Sequence, residues 1–236
     1  TTEIYTLSLH DALPIFAKNN KIALFPSFGV GWVLTEEDFF NITQIDYLKL
    51  RASYGQNGNQ TSRYSSLARI SAGDGSKYVF GDGAQTSIGQ SVATLANNDL
   101  SWESTTGFNF GVDFGILENK IRGNIEYYTT TTNNLLWDMV LPQTTGFNQI
   151  KTNLGEIANS GFEFSIESDI IKANNFTWNI NLNFASNKNK IVTLLGEDND
   201  NDGIEDDLIA SSLFIGKSIG TIYHYEIDGI WQIGDP

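Results

Sequence analysis

The chain has 236 residues, of which 40% are hydrophobic and 12% aromatic, so it is long enough to bury a sizeable core. Acidic residues outnumber basic ones 28 to 14, and the net charge of −14 excludes nucleic acid as a favourable partner because phosphates would be repelled. Cysteine is absent, which excludes disulfide frameworks and thiolate chemistry. No apolar run reaches the length of about 18 residues that indicates a transmembrane helix, so a membrane protein of this sequence would have to be a β-barrel.

The first segment of the chain is interpreted as foreign to the rest. Tyr5 to Ile15 reads YTLSLHDALPI, and successive codons of a common short-read sequencing adapter encode each of these residues. We therefore treat residues 1–15 as artefactual, begin the fold prediction at Phe16, and expect Tyr5 to Ile15 to pack against no particular partner. The alternative interpretation is a short strand and turn that ends at Pro14.

Several segments after this point alternate apolar and polar residues with a period of two, the pattern of β-strands that have two different faces. The clearest is Phe176–Phe184, which reads FTWNINLNF and has aromatic or aliphatic side chains at every second position. A further predicted strand is the aromatic segment IYHYEI, which contains His224. With this strand included, we count about seven strands. The other predicted strands are Ile22–Leu34, Tyr47–Gln56, Phe108–Phe114, Ile121–Tyr127 and Phe162–Glu167.

The connections between these strands alternate in length. Outer-membrane barrels have short periplasmic turns and longer extracellular loops, so the alternation predicts a barrel and places the long connections outside the cell. Aromatic residues near strand ends would then form an interfacial girdle, and they are Trp32, Tyr54, Tyr127, Tyr128 and Trp178. The short or moderate turns are Leu117–Lys120, Asp169–Asn174 and Thr35–Asp46, and the long connections are Asn57–Leu100, Asn133–Asn153 and Lys188–Gly220.

Several segments, in order, resemble the later barrel portion of SusC/RagA-type TonB-dependent transporters. They include FPSFGVGWVLTEEDFF from Phe25, YLKLRASYGQNGNQ from Tyr47, LSWESTTGFNFGVDFGILENKIRGNIEYY from Leu100, NLGEIANSGFEFSIE from Asn153 and WNINLNFASNKNKI from Trp178. The resemblance implies an all-β fold for residues 16–236, namely an incomplete antiparallel transmembrane β-barrel segment with about seven strands of a 22-strand barrel.

The same resemblance implies a location in the cell outer membrane, in contact with its lipid, and the import of nutrients such as glycans or peptides. The implied partners are a SusD-like lipoprotein and, through a plug region expected outside this chain, TonB, ExbB and ExbD. The alternative from another class is a secreted β-sandwich that serves as a carbohydrate-binding or adhesion module. Genomic neighbours would separate the two.

The polar side of the predicted strands is interpreted as the lining of the barrel lumen, which is polar in such proteins. No enzyme is predicted, because His224 has no serine or cysteine motif beside it, and lumen lining explains Glu163 and Glu167 on one strand face. The predicted lumen residues are Lys49, Arg51, Asn109, Asp113, Arg122, Asn124, Glu126, Glu163, Asn179, Asn181 and Asn183.

An acidic stretch, DNDNDGIED, follows the last long strand. It has carboxylates at Asp198, Asp200 and Asp202, a glycine, and then Asp206. Alternate carboxylates before a glycine resemble the first half of an EF-hand loop, and calcium takes oxygen ligands of this kind. Ile209 stands where that loop has a bidentate glutamate, so the sequence predicts at most weak calcium binding. A solvated acidic loop tip is the alternative, and no other cofactor is predicted.

Overall fold

The computed structural model describes residues 3–4, 8–11, 22–62, 64–79, 86–173, 175–226 and 229. Within these residues, three single-turn 3-10 helices lie at Leu34–Glu36, Gln143–Thr145 and Ile209–Ser211. None of the described helices has the length and apolar character needed to cross a membrane. The strands are β1 (Glu3–Ile4), β2 (Ser8–Asp11), β3 (Ile22–Phe25), β4 (Ser27–Val33), β5 (Ile45–Asn59), β6 (Arg69–Val79), β7 (Thr86–Thr94), β8 (Glu103–Ile116), β9 (Ile121–Val140), β10 (Gln149–Ala173) and β11 (Phe176–Thr193).

Seven strands form one antiparallel sheet in the order β1-β4-β5-β8-β9-β10-β11. From β4 onward the order in the sheet follows the order in the chain, which is the meander of an up-and-down barrel. β1 and β11 are the edges, so within the described residues the sheet stays open. Two separate hairpins, β2–β3 and β6–β7, accompany it.

Each of the six strands predicted between Ile22 and Phe184 is present, and Pro26 divides the first of them into β3 and β4. Proline has no N–H to donate to a ladder, which explains the break. The expected aromatic strand around His224 is wrong, because residues 221–226 form neither helix nor strand. The seventh strand of the sheet is instead β1, at the other end of the chain.

One of the predicted long connections is much shorter than expected, and another contains strands of its own. The Asn133–Asn153 connection is wrong in its length, since β9 continues to Val140 and β10 already begins at Gln149. The Thr and Asn residues of this region suggested a loop, yet threonine is β-branched and fits a pleated strand. The Asn57–Leu100 connection contains the β6–β7 hairpin. The short turn at Leu117–Lys120 is confirmed, with left-handed backbone at Leu117, Glu118 and Asn119.

The buried apolar residues lie at the end of the sheet that carries the long connections. One cluster consists of Leu154, Ile157, Ile191, Leu194 and Leu213, and a second surrounds Leu100. The centre of the seven-stranded sheet has no such cluster among the described residues. A single layer of sheet therefore separates two surfaces, and the hydrophobic core serves only to anchor the connections.

The segment interpreted as artefactual has backbone pairing in the structure. Glu3 and Ile4 pair with β4, and β2 pairs with β3 from Ser8↔Phe25 to Asp11↔Ile22. The packing of the side chains from Tyr5 to Ile15, on which the prediction depends, lies outside the described residues. The artefact interpretation and the boundary after residue 15 therefore stay predictions.

Candidate functional site

The register of the sheet collects the alternating apolar residues on one surface. Directly paired residues of an antiparallel ladder project to the same side, and one continuous row runs Leu50–Val112–Ile125–Phe164–Phe184 across five strands. We call this surface the apolar face. Its other members include Phe28, Val30, Trp32, Leu48, Ala52, Tyr54, Phe108, Phe110, Phe114, Tyr127, Phe162, Ile166, Phe176, Trp178, Ile180 and Leu182.

The apolar face is not covered by another layer of the chain. Phe108 is 57% exposed, Trp178 48% and Phe184 58%, although each is a large apolar side chain. A β-sandwich would bury such residues between two sheets about 10 Å apart. The sandwich alternative is therefore wrong for this chain, because the apolar side of its sheet has no second sheet against it among the described residues.

The apolar face has the dimensions of a lipid-facing band. Phe176 to Phe184 extends about 27 Å along β11 at ~3.4 Å per residue, which a tilt of about 40° reduces to roughly 20 Å, close to the ~25 Å band of outer-membrane barrels. Trp32 and Trp178 lie near strand ends, as predicted for a girdle. Tyr54 and Tyr127 lie inside long strands but at the border of the apolar band, above which the same side of β9 carries Thr129 and Thr131, so the girdle prediction stays a prediction for these two residues. Tyr128 projects from the opposite surface of the sheet, so the girdle prediction is wrong for this residue.

The eleven residues predicted to line a lumen all project from the opposite surface, which we call the polar face. Lys49 pairs with Asp113, which pairs with Asn124. Glu126 pairs with Glu163 on the next strand. The structure thus confirms that the predicted set shares one side of the sheet. The rest of the set follows by the same alternation, namely Arg51, Asn109, Arg122, Asn179, Asn181 and Asn183.

Arg51 is the centre of an ion-pair network on the polar face. Its Nε and Nη2 donate to the two carboxylate oxygens of Asp113 at 2.8 Å each, and Nη2 also donates to Glu126 at 2.7 Å. Asn109 donates to the other oxygen of Glu126 at 3.1 Å. Gly111 leaves the space for the guanidinium, because a Cβ there would lie 2.9 Å from Arg51 Nη2. The network has two carboxylates for one cation and joins β5, β8 and β9.

Other predicted lumen residues make simpler contacts. Arg122 pairs with Glu167 at 3.0 Å, and Asn179 donates to Asp169 at 2.7 Å. Lys49 and Glu163 make no side-chain hydrogen bond or ion pair with any described residue. They leave one positive and one negative group on the polar face that are free to contact another molecule or segment.

The structure adds a contact that the sequence analysis missed. Tyr128 projects from the polar face, and its hydroxyl accepts a hydrogen bond of 2.8 Å from Asn187 Nδ2, two strands away. The tyrosine ring lies over Gly161 of the intervening strand, where a Cβ would overlap it. The alternation of β9 places Tyr128 at a position where a polar residue is expected. An aromatic residue at such a position is the signal in the sequence that could have indicated this contact.

The acidic loop brings together three of its four predicted ligands. Carboxylate oxygens of Asp198, Asp200 and Asp206 all lie within 4.8 Å of one another. Asp202 is outside this group, and its Oδ1 accepts a hydrogen bond of 2.8 Å from the backbone of Ile204. Its inclusion in the predicted ligand set is therefore not supported by the geometry.

The comparisons with known proteins agree with this two-faced sheet. The family model described as TonB dependent receptor-like, beta-barrel, matches residues 9–234. TonB-dependent receptor P3 of Formosa agariphila is 37% identical over 227 residues, which are 93% of this chain and 22% of the relative. TonB-dependent receptor SusC of Bacteroides thetaiotaomicron is 35% identical over 202 residues, which are 83% of this chain and 20% of the relative.

Solved structures give the same assignment. A structure of the RagAB peptide transporter matches with a TM-score of 0.72 and 27% identity, over 86% of this chain and 22% of that one. This chain spans about a fifth of the length of the proteins it matches. The unclosed sheet is accordingly an incomplete barrel, a fragment of the SusC/RagA type. The chain belongs to the TonB-dependent receptor β-barrel family.

Proposed function

We propose that this chain is part of an outer-membrane transporter that imports nutrients with energy from the TonB, ExbB and ExbD complex. The single observation that carries the proposal is the uncovered apolar face. The opposite side of the same sheet is the polar face, which has its own hydrogen-bond network. An apolar surface of this kind is stable in water only when another molecule covers it, and bilayer hydrocarbon fits its height. Membership of the TonB-dependent receptor family supports the same function.

The substrate class that we propose is oligomeric and polar, either a glycan or a peptide. The amide side chains of Asn109, Asn181 and Asn183 suit both, because amides hydrogen-bond to sugar hydroxyls and to peptide backbones. The name of the RagAB structure states that its transporter handles peptides. The eleven residues of the polar face would line the lumen through which such a substrate passes.

The direct test measures uptake in the native bacterium. We expect cells that lack the full-length receptor to lose uptake of labelled material from either an oligosaccharide pool or an oligopeptide pool, and complementation to restore it. A protonophore should abolish the restored uptake, because the TonB complex draws on the proton gradient. Unchanged uptake from both pools in the deletion strain would contradict the proposal.

We also propose that the β6–β7 hairpin contacts a SusD-like lipoprotein outside the cell. The hairpin follows β5 on the side of the long connections and carries the exposed pair Ile70 (67%) and Val92 (55%), which face each other across the strands. Exposed apolar residues on an isolated hairpin indicate a binding surface, since two strands alone are marginally stable.

Exchange of both apolar residues tests the hairpin. Ile70→Ser with Val92→Ser should reduce co-purification of the lipoprotein with the full-length receptor while leaving the receptor folded. Ile125→Ser on the apolar face serves as the matched control, since it removes an exposed aliphatic side chain from a different surface. Equal recovery of the lipoprotein with the wild-type receptor, the double variant and the Ile125→Ser control would contradict a contact at this hairpin.

The acidic loop is proposed as a weak calcium site on the extracellular side. Three carboxylates within 4.8 Å supply hard oxygen ligands, and the lack of a bidentate glutamate fits an affinity of roughly 10⁻⁴ to 10⁻³ M, as in extracellular modules. Calcium would order the loop between Thr193 and Leu208 and would take no part in transport.

A further inference from the structure

A polar pocket lies between the base of the β6–β7 hairpin and the ends of β9 and β10 that the Leu141–Asn148 turn connects. The hairpin side contributes Arg69 and Thr94 to its lining, and the sheet contributes Asp138, Gln149 and Lys151. Its volume is about 180 Å³, several times the ~30 Å³ share of one water molecule. The predicted long connections lie at this end of the sheet, so the pocket is on the proposed extracellular side, where an incoming substrate arrives first.

Hydrogen bonds within the chain hold the two walls of this pocket together. The backbone N–H of Asn97 donates to the carbonyl oxygen of Ser66 at 3.0 Å and closes the base of the hairpin. Asn97 Nδ2 donates to the carbonyl oxygen of Lys151 at 3.0 Å and so ties that base to β10. Thr94 Oγ1 accepts from the backbone N–H of Arg69 at 3.1 Å. These bonds place Arg69 and Lys151, which are far apart in the sequence, in one pocket.

The pocket is positively charged although the chain is strongly acidic. Acidic residues outnumber basic ones 28 to 14 in the whole sequence, whereas the described lining has Arg69 and Lys151 against the single carboxylate of Asp138. Lys151 Nζ contacts Asp138 Oδ1 at 2.7 Å, which occupies one of its three N–H donors. The guanidinium of Arg69 and the amide of Gln149 make no ion pair or side-chain hydrogen bond with any described residue. The pocket therefore has unused donors and an excess positive charge.

We propose that this pocket binds a carboxylate of the imported oligomer, with Arg69 as its bidentate partner and with further hydrogen bonds from Lys151 and Gln149. The planar guanidinium matches the two oxygens of a carboxylate, and hydrogen bonds between charged groups are the strong ones. A neutral hydroxyl or amide would leave the positive charge without a partner. The carboxylate belongs to a uronic acid of a glycan or to a peptide. The proposal deepens the import function proposed above and rests on it.

The test measures uptake by receptor-deleted cells that carry the full-length receptor. The oligosaccharide pool and the oligopeptide pool are each separated by anion exchange into an anionic and a neutral fraction, and the half-saturating concentration for uptake is measured for each fraction. The wild-type receptor should restore uptake from the anionic fraction of one pool, which identifies the source of the carboxylate. Methyl esterification of that fraction should weaken its uptake, and this readout does not depend on the folding of a variant.

Variants of the pocket should shift the half-saturating concentration of the anionic fraction in opposite directions. Arg69→Gln should raise it about 10- to 100-fold, the effect of losing hydrogen bonds to a charged group, and Arg69→Lys should raise it less because the charge remains. Asp138→Asn should lower it about two- to fivefold, since Lys151 is released from a partly exposed ion pair. Lys172→Gln, which removes one positive charge at the end with the short turns, is the matched control and should behave like wild type.

The outcomes separate this site from the import function itself. The amount of each receptor in the outer-membrane fraction is measured first, so that a loss of folding is not mistaken for a loss of binding. A wild-type receptor that restores uptake from none of the four fractions would overturn import and the site together. Restored uptake from neutral fractions alone would overturn the carboxylate site only. Arg69→Gln that behaves like Lys172→Gln, or that weakens uptake of neutral and anionic fractions equally, would also overturn the carboxylate site only.

Discussion

The ring of Tyr128 lies over Gly161 on the neighbouring strand, and from there its hydroxyl reaches Asn187 on the strand beyond. Three strands of the polar face are thus held by one aromatic side chain. Glycine in a strand interior normally weakens it, because it has no side chain to pack. Here the missing Cβ is the space that the tyrosine occupies, so the two residues depend on each other.

Gly161→Ala should therefore lower the stability of the full-length receptor by about 1–3 kcal/mol, the usual cost of overpacking, as measured by heat denaturation in detergent. The alanine would displace the ring and break the Tyr128–Asn187 hydrogen bond. Gly55→Ala is the matched control, since its Cβ would meet Ser27 at an ordinary 3.6 Å. Equal stability of the two variants would contradict the role of Tyr128.

The Arg51 network predicts an asymmetric response to mutation. Arg51→Leu leaves Asp113 and Glu126 close together without their cation, and should cost about 1–3 kcal/mol of receptor stability. Arg122→Leu removes an ion pair whose side chains are 49% and 46% exposed, and should cost at most about 1 kcal/mol. Adding Glu126→Gln to Arg51→Leu should recover part of the loss, because one unpaired charge disappears.

Heat denaturation of these variants measures both costs. An Arg51→Leu receptor that is no less stable than the Arg122→Leu receptor would mean that the network contributes little. The proposed lumen would then have to be tested through other residues of the polar face.

The loss of stability caused by a charged substitution on the apolar face should depend on the depth of the position in the bilayer. Val112→Arg puts a guanidinium near the middle of the band and should cost about 2–4 kcal/mol, whereas Thr131→Arg, on the same side but above the band, should cost about 0–1 kcal/mol. Equilibrium unfolding in lipid vesicles gives both values. Similar costs at the two positions would be inconsistent with a bilayer against this face.

The calcium proposal predicts a difference between neighbouring aspartates. Asp200→Asn should abolish protection of the acidic loop from protease by millimolar calcium, because Asp200 is one of the three convergent carboxylates. Asp202→Asn should keep that protection, since its side chain is directed elsewhere and the amide oxygen can still accept from Ile204. Loss of protection in both variants, or in neither, would remove Asp198, Asp200 and Asp206 from the site residues.

The faces of the strands could be predicted from the sequence, because alternation is a local property that each strand carries in its own residues. The ends of β9 and β10 could not be predicted. Beyond the apolar band both sides of a strand are polar, so the alternation of apolar and polar residues disappears. The ion-pair partners of Arg51 could not be predicted from the sequence either. They lie 62 and 75 residues away along the chain, and only the register of three strands decides which carboxylates meet the guanidinium.

The central claim is that the apolar face lies against lipid, and a nitroxide scan of Phe176 to Phe184 in the reconstituted full-length receptor tests it most directly. This chain has no cysteine of its own, so once any cysteine elsewhere in the receptor is replaced, each position can carry a single introduced label. Collision with oxygen, which concentrates in hydrocarbon, should be frequent at Phe176, Trp178, Ile180, Leu182 and Phe184. It should be rare at the four residues between them, where a water-soluble nickel complex should collide instead. Low collision rates with both reagents at Trp178 and Leu182 would mean that protein covers this face, and would contradict the account.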